Sequence, residues 1–395
     1  MAVLVPFAAL RPIPSSAARV AAVPYDVVTT EEARALAVVE PLSFLHVSRA
    51  EVDLPAGTRP YSDEVYAKAV TNLAALKRDA PLLEDESPAL YVYRLAIAGH
   101  AQTGIAGGFS IDEYESNLIR RHEHTRRDKE DDRTRHIVTL RAQTGPVFLV
   151  HRRDAGVDAV VARITATPPL YDFVASDGVR HTVWQTAETD SEALQRTFAA
   201  LAALYIADGH HRAASAARAR REVGGSDHFL AVAFPDDEVR ILPYNRVVLD
   251  FGAHDASSFA RVLHSQFGAV EGPPVPGRRG VVSVFVKDRW YQLTLDAGPG
   301  ADGQLDVSLL NDRILSPLLG IGDVTRDKRI DFVGGARGTD ALERMVRGGD
   351  AAVAFSMHPV SMRDIMQVSD AGGIMPPKST WFEPKLRDGL LSLPI

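Results

Sequence analysis

The stretch that decides the fold is Leu204-Tyr-Ile-Ala-Asp-Gly-His-His-Arg212, followed directly by Ala213-Ala-Ser-Ala-Ala-Arg-Ala-Arg220. Leu204–Ala207 is an apolar run typical of a short buried strand, and the alanine-rich stretch favours a helix. Gly209 between them permits a tight turn. The polar cluster is therefore predicted on the first turn of a helix, where free backbone N–H groups and the positive end of the helix dipole favour an anion.

Each polar residue of this turn has a candidate role. Arg212 would supply a fork of donors to phosphate oxygens, and the backbone at Gly209 would approach the same phosphate. Asp208, at the end of the strand, is placed to accept a proton or to hold a metal ion, with His210 and His211 as further catalytic candidates. The alternative is that Asp208 only caps the helix. A cap needs one acceptor, so the two histidines and the arginine favour a function.

Apolar runs rich in β-branched and aromatic residues alternate with helical patterns along the whole chain. They predict an α+β (mixed α/β) fold with a mixed sheet and flanking helices. The predicted strands are Ala89–Ile97, Gly104–Ile111, Val147–His151, Leu204–Ala207, Phe229–Phe234, Val281–Val286, Trp290–Leu295 and Ala351–Phe355. The predicted helices are Asp63–Lys77, Ser191–Ala203, His210–Arg221, Ser257–Phe267 and Thr339–Val346.

No repeat and no low-complexity linker interrupts the sequence. Gly272–Gly277 and Gly298–Gly303 combine glycine and proline and predict surface turns rather than domain boundaries. Residues 1–395 are therefore predicted to form a single unit, in one or two lobes.

The composition excludes several classes of function. The chain has no cysteine, which rules out a thiol nucleophile, a disulfide framework and a thiolate metal site. Its formal charge of -7 argues against a protein that coats nucleic acid or an anionic membrane. The N-terminus lacks the pattern of a signal peptide, and no apolar run is long enough to span a bilayer. We expect a cytoplasmic protein whose partners are small molecules rather than nucleic acid or membrane.

Residues 120–136 carry many charges of both signs. A solvated helix with i,i+4 ion pairs is one interpretation. The spacing is not that of a zinc-protease helix, because residue 126 is arginine. Glu123 is a hard oxygen ligand suited to Mg²⁺, and two cations lie one helical turn apart, as charges that grip a polyphosphate would. The phosphate-contact candidates of this segment are His122, Thr125, Lys129 and Arg133.

Two further motifs lie near the ends of the chain. Gly372–Lys385 contains too many glycines and prolines for a regular helix, so it is predicted to be a shaped loop that presents Lys378, Ser379 and Thr380 to a phosphate or carboxylate. The alternative is a C-terminal segment that only docks its aromatic residues on the core. Near the N-terminus, His46 lies in an apolar run, where a lone histidine is more often a core residue with its hydrogen bonds satisfied than a ligand-binding residue.

Five motifs in this order resemble the family of domain of unknown function 1015, along nearly the whole chain. The resemblance implies a phosphate-binding box and core like those of the ParB and sulfiredoxin superfamily, which includes free-serine kinases that use ADP or ATP. Sulfiredoxin chemistry needs a cysteine, and ParB-type partitioning needs a DNA-binding module; neither is visible in this sequence. The motifs are Pro24-Tyr-Asp-Val27, Ser43-Phe-Leu-His-Val47, His122-Glu-x-Thr125 with Lys129-Glu-x-x-Arg133, Ala207-Asp-Gly-His-His-Arg212 and Met375-Pro-Pro-Lys-Ser-Thr380.

The activity implied by this resemblance is transfer of a phosphoryl group from ATP or ADP to the hydroxyl of free serine or a similar small amino acid, with Mg²⁺. Glu123 and Asp208 are the metal-ligand candidates. The sequence departs from the family at Ala213, where an aromatic residue is common, and at Tyr244-Asn-Arg246, where a histidine often precedes the arginine. The alternatives are a nucleotide-binding regulator without turnover and a phosphoester hydrolase. The substrate-side candidates are Tyr25, Asp26, His46, Arg246, Lys378, Ser379 and Thr380.

Overall fold

The computed structural model describes residues 2–295 and 304–395. The chain divides into two compact units, of which the first comprises Met1–Val239 with Pro384–Ile395 and the second Arg240–Glu383. The C-terminal residues thus rejoin the first unit after the chain has formed the second. The turn predicted at Gly298–Gly303 lies outside the described residues.

A mixed nine-stranded sheet forms the centre of the first unit, and two short strand pairs lie beside it. The strands of the first unit are β1 (Leu4–Val5), β2 (Leu10–Pro12), β3 (Leu82–Glu84), β4 (Tyr91–Ile97), β5 (His100–Ser110), β6 (Ile119–Arg120), β7 (Ala142–Gln143), β8 (Val147–His151), β9 (Tyr171–Val174), β10 (Arg180–Gln185), β11 (Leu204–Asp208), β12 (His228–Pro235) and, after the second unit, β21 (Leu393–Pro394). The sheet order is β6-β11-β8-β12-β5-β4-β10-β9, with β1 paired to β5.

Strand directions in this sheet are of both kinds. Strand β11 runs parallel to β6, and β12 runs parallel to β8, whereas β11 and β8 are antiparallel. The mixed sheet and the α+β fold predicted from the sequence are thereby confirmed.

Nine α-helices accompany this sheet in the described part of the first unit. They are α1 (Ala17–Val20), α2 (Thr30–Val39), α3 (Leu45–Ser48), α4 (Asp63–Asp79), α5 (Ile111–Glu115), α6 (Arg127–Leu140), α7 (Ala155–Thr165), α8 (Glu188–Ala199) and α9 (His210–Val223). The periodicity that predicted α4 is confirmed, since Val65, Ala69, Leu73 and Leu76 are all buried. None of the helices among the described residues combines the length and apolarity needed to cross a lipid bilayer.

The first unit has two apolar cores. One packs the sheet against helices α5, α7, α8 and α9, and includes Phe109, Phe198, Ile206 and Phe229. The other joins helices α1 to α4 through Phe44, among others, and is also reached by the last residue of α6, Leu140. Helix α6 also contributes Ile137 to the first core and therefore bridges the two. It contacts α9 as well, where the Ser215 hydroxyl donates to the Glu130 carbonyl at 3.2 Å.

The second unit is built on a six-stranded antiparallel sheet, with order β15-β17-β16-β19-β14-β18. Its helices pack an apolar core that contains Phe285, Trp290 and Leu342. Its strands are β13 (Ile241–Leu242), β14 (Tyr244–Val248), β15 (Val270–Glu271), β16 (Val281–Val286), β17 (Arg289–Thr294), β18 (Ile330–Gly334), β19 (Val353–Ser356) and β20 (Trp381–Phe382). Its helices are α10 (Ala256–Phe267), α11 (Asp306–Leu310), α12 (Ser316–Leu319), α13 (Gly338–Gly348) and α14 (Met362–Asp370).

Candidate functional site

The turn between β11 and α9 is the centre of the candidate site. Strand β11 ends at Asp208 and α9 begins at His210, as the sequence predicts. Gly209 between them has φ +93°, a conformation that favours glycine. The guanidinium of Arg212 folds back over this glycine, so that a Cβ at position 209 would lie 3.1 Å from Arg212 Cζ and Nε. Both the backbone conformation and the close approach therefore require glycine.

Gly209→Ala is expected to cost more stability than the same change at a glycine with similar φ and open space around it. Gly99, with φ +78° and no atom within 4 Å of the place that a Cβ would occupy, is the matched control. We expect a loss of about 1 kcal/mol for Gly99→Ala and about 2–3 kcal/mol for Gly209→Ala in urea unfolding, because only the latter displaces a buried arginine. Equal losses would contradict a tight contact between Gly209 and Arg212.

Arg212 connects the turn to other parts of the chain. It is buried, and its Nη2 donates a hydrogen bond to Asp208 Oδ2 at 2.9 Å. Its Nη1 donates to the Pro146 carbonyl, and Asp26 Oδ2 lies 3.7 Å from Nη2. Among the described residues, its Nε has no hydrogen-bond partner although it is buried. A buried N–H of this kind is expected to meet a water or a ligand.

Asp208 is held between two cations. Its Oδ2 accepts the hydrogen bond from Arg212 and lies 3.6 Å from Lys385 Nζ. Burial favours the neutral acid, but the Lys385 and Arg212 charges prevail and hold the pKa of Asp208 well below its usual value. Asp208 therefore stays ionised and is a weak base. The proton-accepting role that the sequence suggests for it does not fit this environment.

Sequence reasoning missed two residues of the site, Lys385 and Asp388. The segment that carries them pairs with the N-terminal region: the Asp388 N–H donates to the Ala22 carbonyl at 2.9 Å, and the Ala22 N–H donates to the Asp388 carbonyl at 3.1 Å. The Asp388 side chain is buried and lines a small cavity together with Arg212. A Cβ on Gly145 would approach Asp388 Oδ1 to 2.9 Å, so glycine is needed there too. The sequence signal was only an Asp-Gly pair, which is equally typical of a turn.

The charge state of Asp388 predicts a pH effect. Burial raises its pKa to about 7, with the Arg212 charge opposing the rise. The folded protein then binds this proton more tightly than the unfolded chain, so the stabilisation is complete at low pH and is lost as the pH rises from about 4 to about 7. We therefore expect the free energy of unfolding of Asp388→Asn, measured in urea, to rise relative to that of the unsubstituted protein as the pH increases from 4 to 8. The buried histidines titrate in both proteins and cancel, and a pH-independent difference would contradict the raised pKa.

The two histidines of the turn fasten the segment that precedes α6. His210 Nε2 accepts the His122 backbone N–H at 3.5 Å, and its Nδ1 lies 3.8 Å from Glu123 Oε2. His211 Nε2 accepts the Arg126 backbone N–H at 2.9 Å. Burial lowers the pKa of both imidazoles, which are therefore neutral. Because their Nε2 lone pairs already receive backbone N–H groups, we assign His210 and His211 a positioning role in place of the predicted acid–base role.

His122 is a buried neutral side chain inside the cluster. Its ring meets the His210 ring edge to face, with centroids 4.5 Å apart. Burial lowers its pKa to about 4. Neither ring nitrogen has a hydrogen-bond partner within the described residues. Like Arg212 Nε, the ring nitrogens of His122 are therefore available to hydrogen-bond a ligand or a water.

Arg133, on α6, stacks on the N-terminal motif. Its guanidinium lies 4.0 Å from the ring centroid of Tyr25, and its Nε donates to Asp132 Oδ2 at 2.7 Å. Tyr25 lines the same small cavity as Arg212 and Asp388. The predicted phosphate contact Arg133 and the predicted substrate contact Tyr25 are thus in direct contact, next to Arg212.

The other candidates on or before α6 make protein contacts. Lys129 Nζ donates to Tyr61 Oη at 2.8 Å. The Thr125 hydroxyl donates to the Glu130 carboxylate, which itself lies 3.7 Å from Arg218 on α9. Lys129 thus remains at the edge of a cavity, whereas Thr125 stabilises the start of α6 rather than presenting its hydroxyl outward.

His46 does not join this cluster. Its Nδ1 lies 2.9 Å from both oxygens of Asp53, and its Nε2 lies 3.2 Å from the Ala37 carbonyl. The Asp53 hydrogen bond raises the pKa of His46. Since both ring nitrogens have protein partners, the structure favours the core interpretation of His46 over the predicted substrate contact.

The remaining substrate-side candidates lie in the second unit. Arg246 is buried on β14, and its Nη2 donates to the Lys378 carbonyl at 3.1 Å. The Ser379 hydroxyl donates to the Pro376 carbonyl at 2.5 Å, and the neighbouring Thr380 is half-buried. Burial lowers the pKa of Arg246 to about 10. These residues form one cluster within their unit, and their contact with substrate remains a prediction.

The described part of the chain forms no metal site from protein ligands alone. In residues 2–295 and 304–395, no group of three or more histidine, aspartate or glutamate side chains is placed to hold a metal ion. Asp208, one of the two predicted ligands, is occupied by Arg212 and Lys385. Mg²⁺ usually binds one or two carboxylates together with substrate phosphates. Glu123, which is partly exposed beside His210, fits that pattern.

Several solved structures share a distant likeness to the chain. They include a conserved hypothetical protein from Pyrococcus furiosus (14% identity, TM-score 0.35, covering 73% of this chain and 94% of that one). A free serine kinase in complex with AMP aligns with 12% identity and TM-score 0.37, over 74% of this chain and 91% of that one. SbnI with C-terminal truncation from Staphylococcus aureus aligns with 12% identity and TM-score 0.39, over 73% and 87%. Likenesses at these scores carry no functional argument.

A family model gives a clearer assignment than the solved structures do. No match to the chain was found among curated proteins. The family described as "Protein of unknown function (DUF1015)" matches residues 4–308, a span that contains β1, the Asp208–Arg212 turn and most of the residues described above. Since this span covers most of the sequence, the chain belongs to that family.

Proposed function

We propose that this protein transfers a phosphoryl group from a nucleotide, ATP or ADP, to the hydroxyl of a small acceptor such as free serine. One observation carries the proposal: three distant parts of the sequence bring charged side chains together at the first turn of α9. Arg212 lies 2.9 Å from Asp208 and 3.7 Å from Asp26, and Lys385 lies 3.6 Å from Asp208. Phosphoryl transfer depends mainly on positioning and charge compensation, which such a cluster supplies.

The donor phosphates would meet the positive side of this cluster. The first turn of α9 directs backbone N–H groups and the positive end of its dipole toward a bound anion. Lys385 lies 3.6 Å from Asp208, and Arg133 lines the small cavity together with Arg212. Mg²⁺, held by Glu123 and the donor phosphates, would neutralise further charge on the donor. In this proposal Asp208 anchors Arg212 and Lys385 instead of acting as a base.

The acceptor hydroxyl would meet Asp26. The Asp26 side chain is 36% exposed and lies 3.7 Å from Arg212 Nη2, which orients the carboxylate without burying it. Asp388 is buried, and Asp208 is paired with Arg212 and Lys385. Of the three aspartates around Arg212, Asp26 is thus the one best placed to accept a hydroxyl proton.

The activity is tested by incubating the full chain with Mg²⁺, serine and either ATP or ADP, and following phosphoserine by phosphorus NMR. We expect phosphoserine with at least one donor. Nucleotide binding without any product would overturn the proposal in favour of a regulatory protein. Release of inorganic phosphate that does not depend on serine would overturn it in favour of a hydrolase.

A further inference from the structure

A second, larger cavity adjoins the Arg133–Tyr25 stack. Its volume is about 230 Å³, against about 30 Å³ for the small cavity beside Arg212. Tyr25, Arg133 and His136 line both cavities, so the two spaces are neighbours on either side of these residues. The remaining wall of the larger cavity comes from α2, from α3 and residues 49–51 after it, from α4 and the loop before it, and from two further residues of α6.

Both arginines in the wall of the larger cavity are paired with carboxylates of the same wall, and the third cation, Lys129, donates to the Tyr61 hydroxyl. Arg49 Nε donates to Glu51 Oε1 at 2.7 Å, and Arg133 Nε donates to Asp132 Oδ2 at 2.7 Å. The Tyr66 hydroxyl donates to the other oxygen of Asp132 at 2.8 Å. Three tyrosines, Tyr25, Tyr61 and Tyr66, also line this cavity, so its wall combines paired ions with aromatic rings.

Tyr61 at the edge of this cavity has an unusual conformation. Its φ is +69°, which is uncommon for a bulky residue and tends to occur at functional sites. Its side chain is 42% exposed although it is large and aromatic. Its hydroxyl accepts a hydrogen bond from Lys129 at 2.8 Å, which holds the ring at the cavity. An exposed ring in a strained, fixed position is suited to stacking against a flat ligand group.

We infer that the larger cavity receives the base and ribose of the donor nucleotide, with Tyr61 stacking on the base and Arg133 at the junction with the phosphates. This inference rests on the proposed function, and it places the nucleoside of the donor in the larger cavity and its phosphates beside Arg212. Its size supports a nucleoside, because an amino acid as small as serine would leave most of about 230 Å³ empty. Its three tyrosine rings match the aromatic part of a nucleotide.

The test compares binding of ATP with binding of inorganic tripolyphosphate, which has the phosphates but no nucleoside, by calorimetric titration of the full chain. We expect Tyr61→Ala to weaken ATP about tenfold, since loss of a base-stacking ring costs affinity on this scale. Its affinity for tripolyphosphate should not change. Tyr61→Phe keeps the ring and should recover most of the lost ATP affinity. Leu83→Ala, at another exposed large side chain of the first unit (48% exposed), is the control and should bind both ligands normally.

Failure of this inference can be told apart from failure of the proposed function. ATP affinity that is unchanged in Tyr61→Ala, or a loss that is equal for ATP and tripolyphosphate, would overturn the nucleoside assignment and leave phosphoryl transfer standing. If the unsubstituted protein binds neither ligand, the proposed function itself is overturned, and the inference with it.

Discussion

Asp26→Asn is expected to lower phosphoserine formation by about 100- to 10,000-fold, the range typical of removing a positioned acid–base group. The amide keeps the size of the side chain and its place 3.7 Å from Arg212, but it cannot accept the hydroxyl proton. Nucleotide affinity should change little, because Asp26 is assigned to the acceptor. The measurement is the turnover number at saturating donor and serine, together with calorimetric binding of the donor.

The matched control for this change is Asp172→Asn. Asp172 is an aspartate of similar exposure, 32%, that pairs with an arginine, Arg180, on the sheet of the same unit. Its neutralisation should leave turnover unaffected. Full turnover in Asp26→Asn would reject Asp26 as the proton acceptor, whereas an equal loss in both variants would indicate a general effect of the lost charge.

Arg212→Met is expected to have the largest effect on stability, a loss of about 3–5 kcal/mol, as is typical when one member of a buried ion pair is removed. The change leaves Asp208 and Asp26 without the cation between them, and leaves the Pro146 carbonyl without its donor. Urea unfolding followed by circular dichroism measures the loss.

Arg180→Met serves as the control for Arg212→Met. Arg180 is 58% exposed and also pairs with an aspartate, Asp172, so the same chemical change is made where water can solvate the remaining charge. Exposed pairs of this kind contribute about 0–1 kcal/mol. A loss for Arg212→Met that is no larger than that for Arg180→Met would contradict the central role of Arg212 in this cluster.

Elements with a strong local pattern were predicted closely. Strands β8 and β16 have the predicted bounds, because each is a run of apolar residues buried on both faces. Helix α2 was missed, although Thr29 and Glu32 form a capping box whose sequence signature marks the start of the helix. Strand β10 was missed because charged and polar residues at its ends obscure a short apolar centre.

The candidate site was predicted only in part. The turn between β11 and α9 was predicted at its observed position, because its residues are adjacent in the sequence, whereas the phosphate contacts assigned to Lys129 and Arg133 stay predictions. Lys385 and Asp388 were not predicted, and both lie beyond the residues matched by the family. Nothing in their immediate neighbours indicates that the chain returns to the first unit after Glu383. That return depends on contacts between residues far apart in the sequence, which local periodicity cannot predict.

By itself, the sequence determined the strand, the glycine turn and the helix start at Asp208–Arg212, because these depend on residues next to one another. It also excluded thiol chemistry through the absence of cysteine. Only the tertiary structure decided which acids surround Arg212, and that Asp208 is a paired, weakly basic carboxylate whereas Asp388 holds its proton to about pH 7. The physical reason is that pKa and hydrogen bonding depend on burial and on neighbours brought from distant parts of the chain, which no local pattern records.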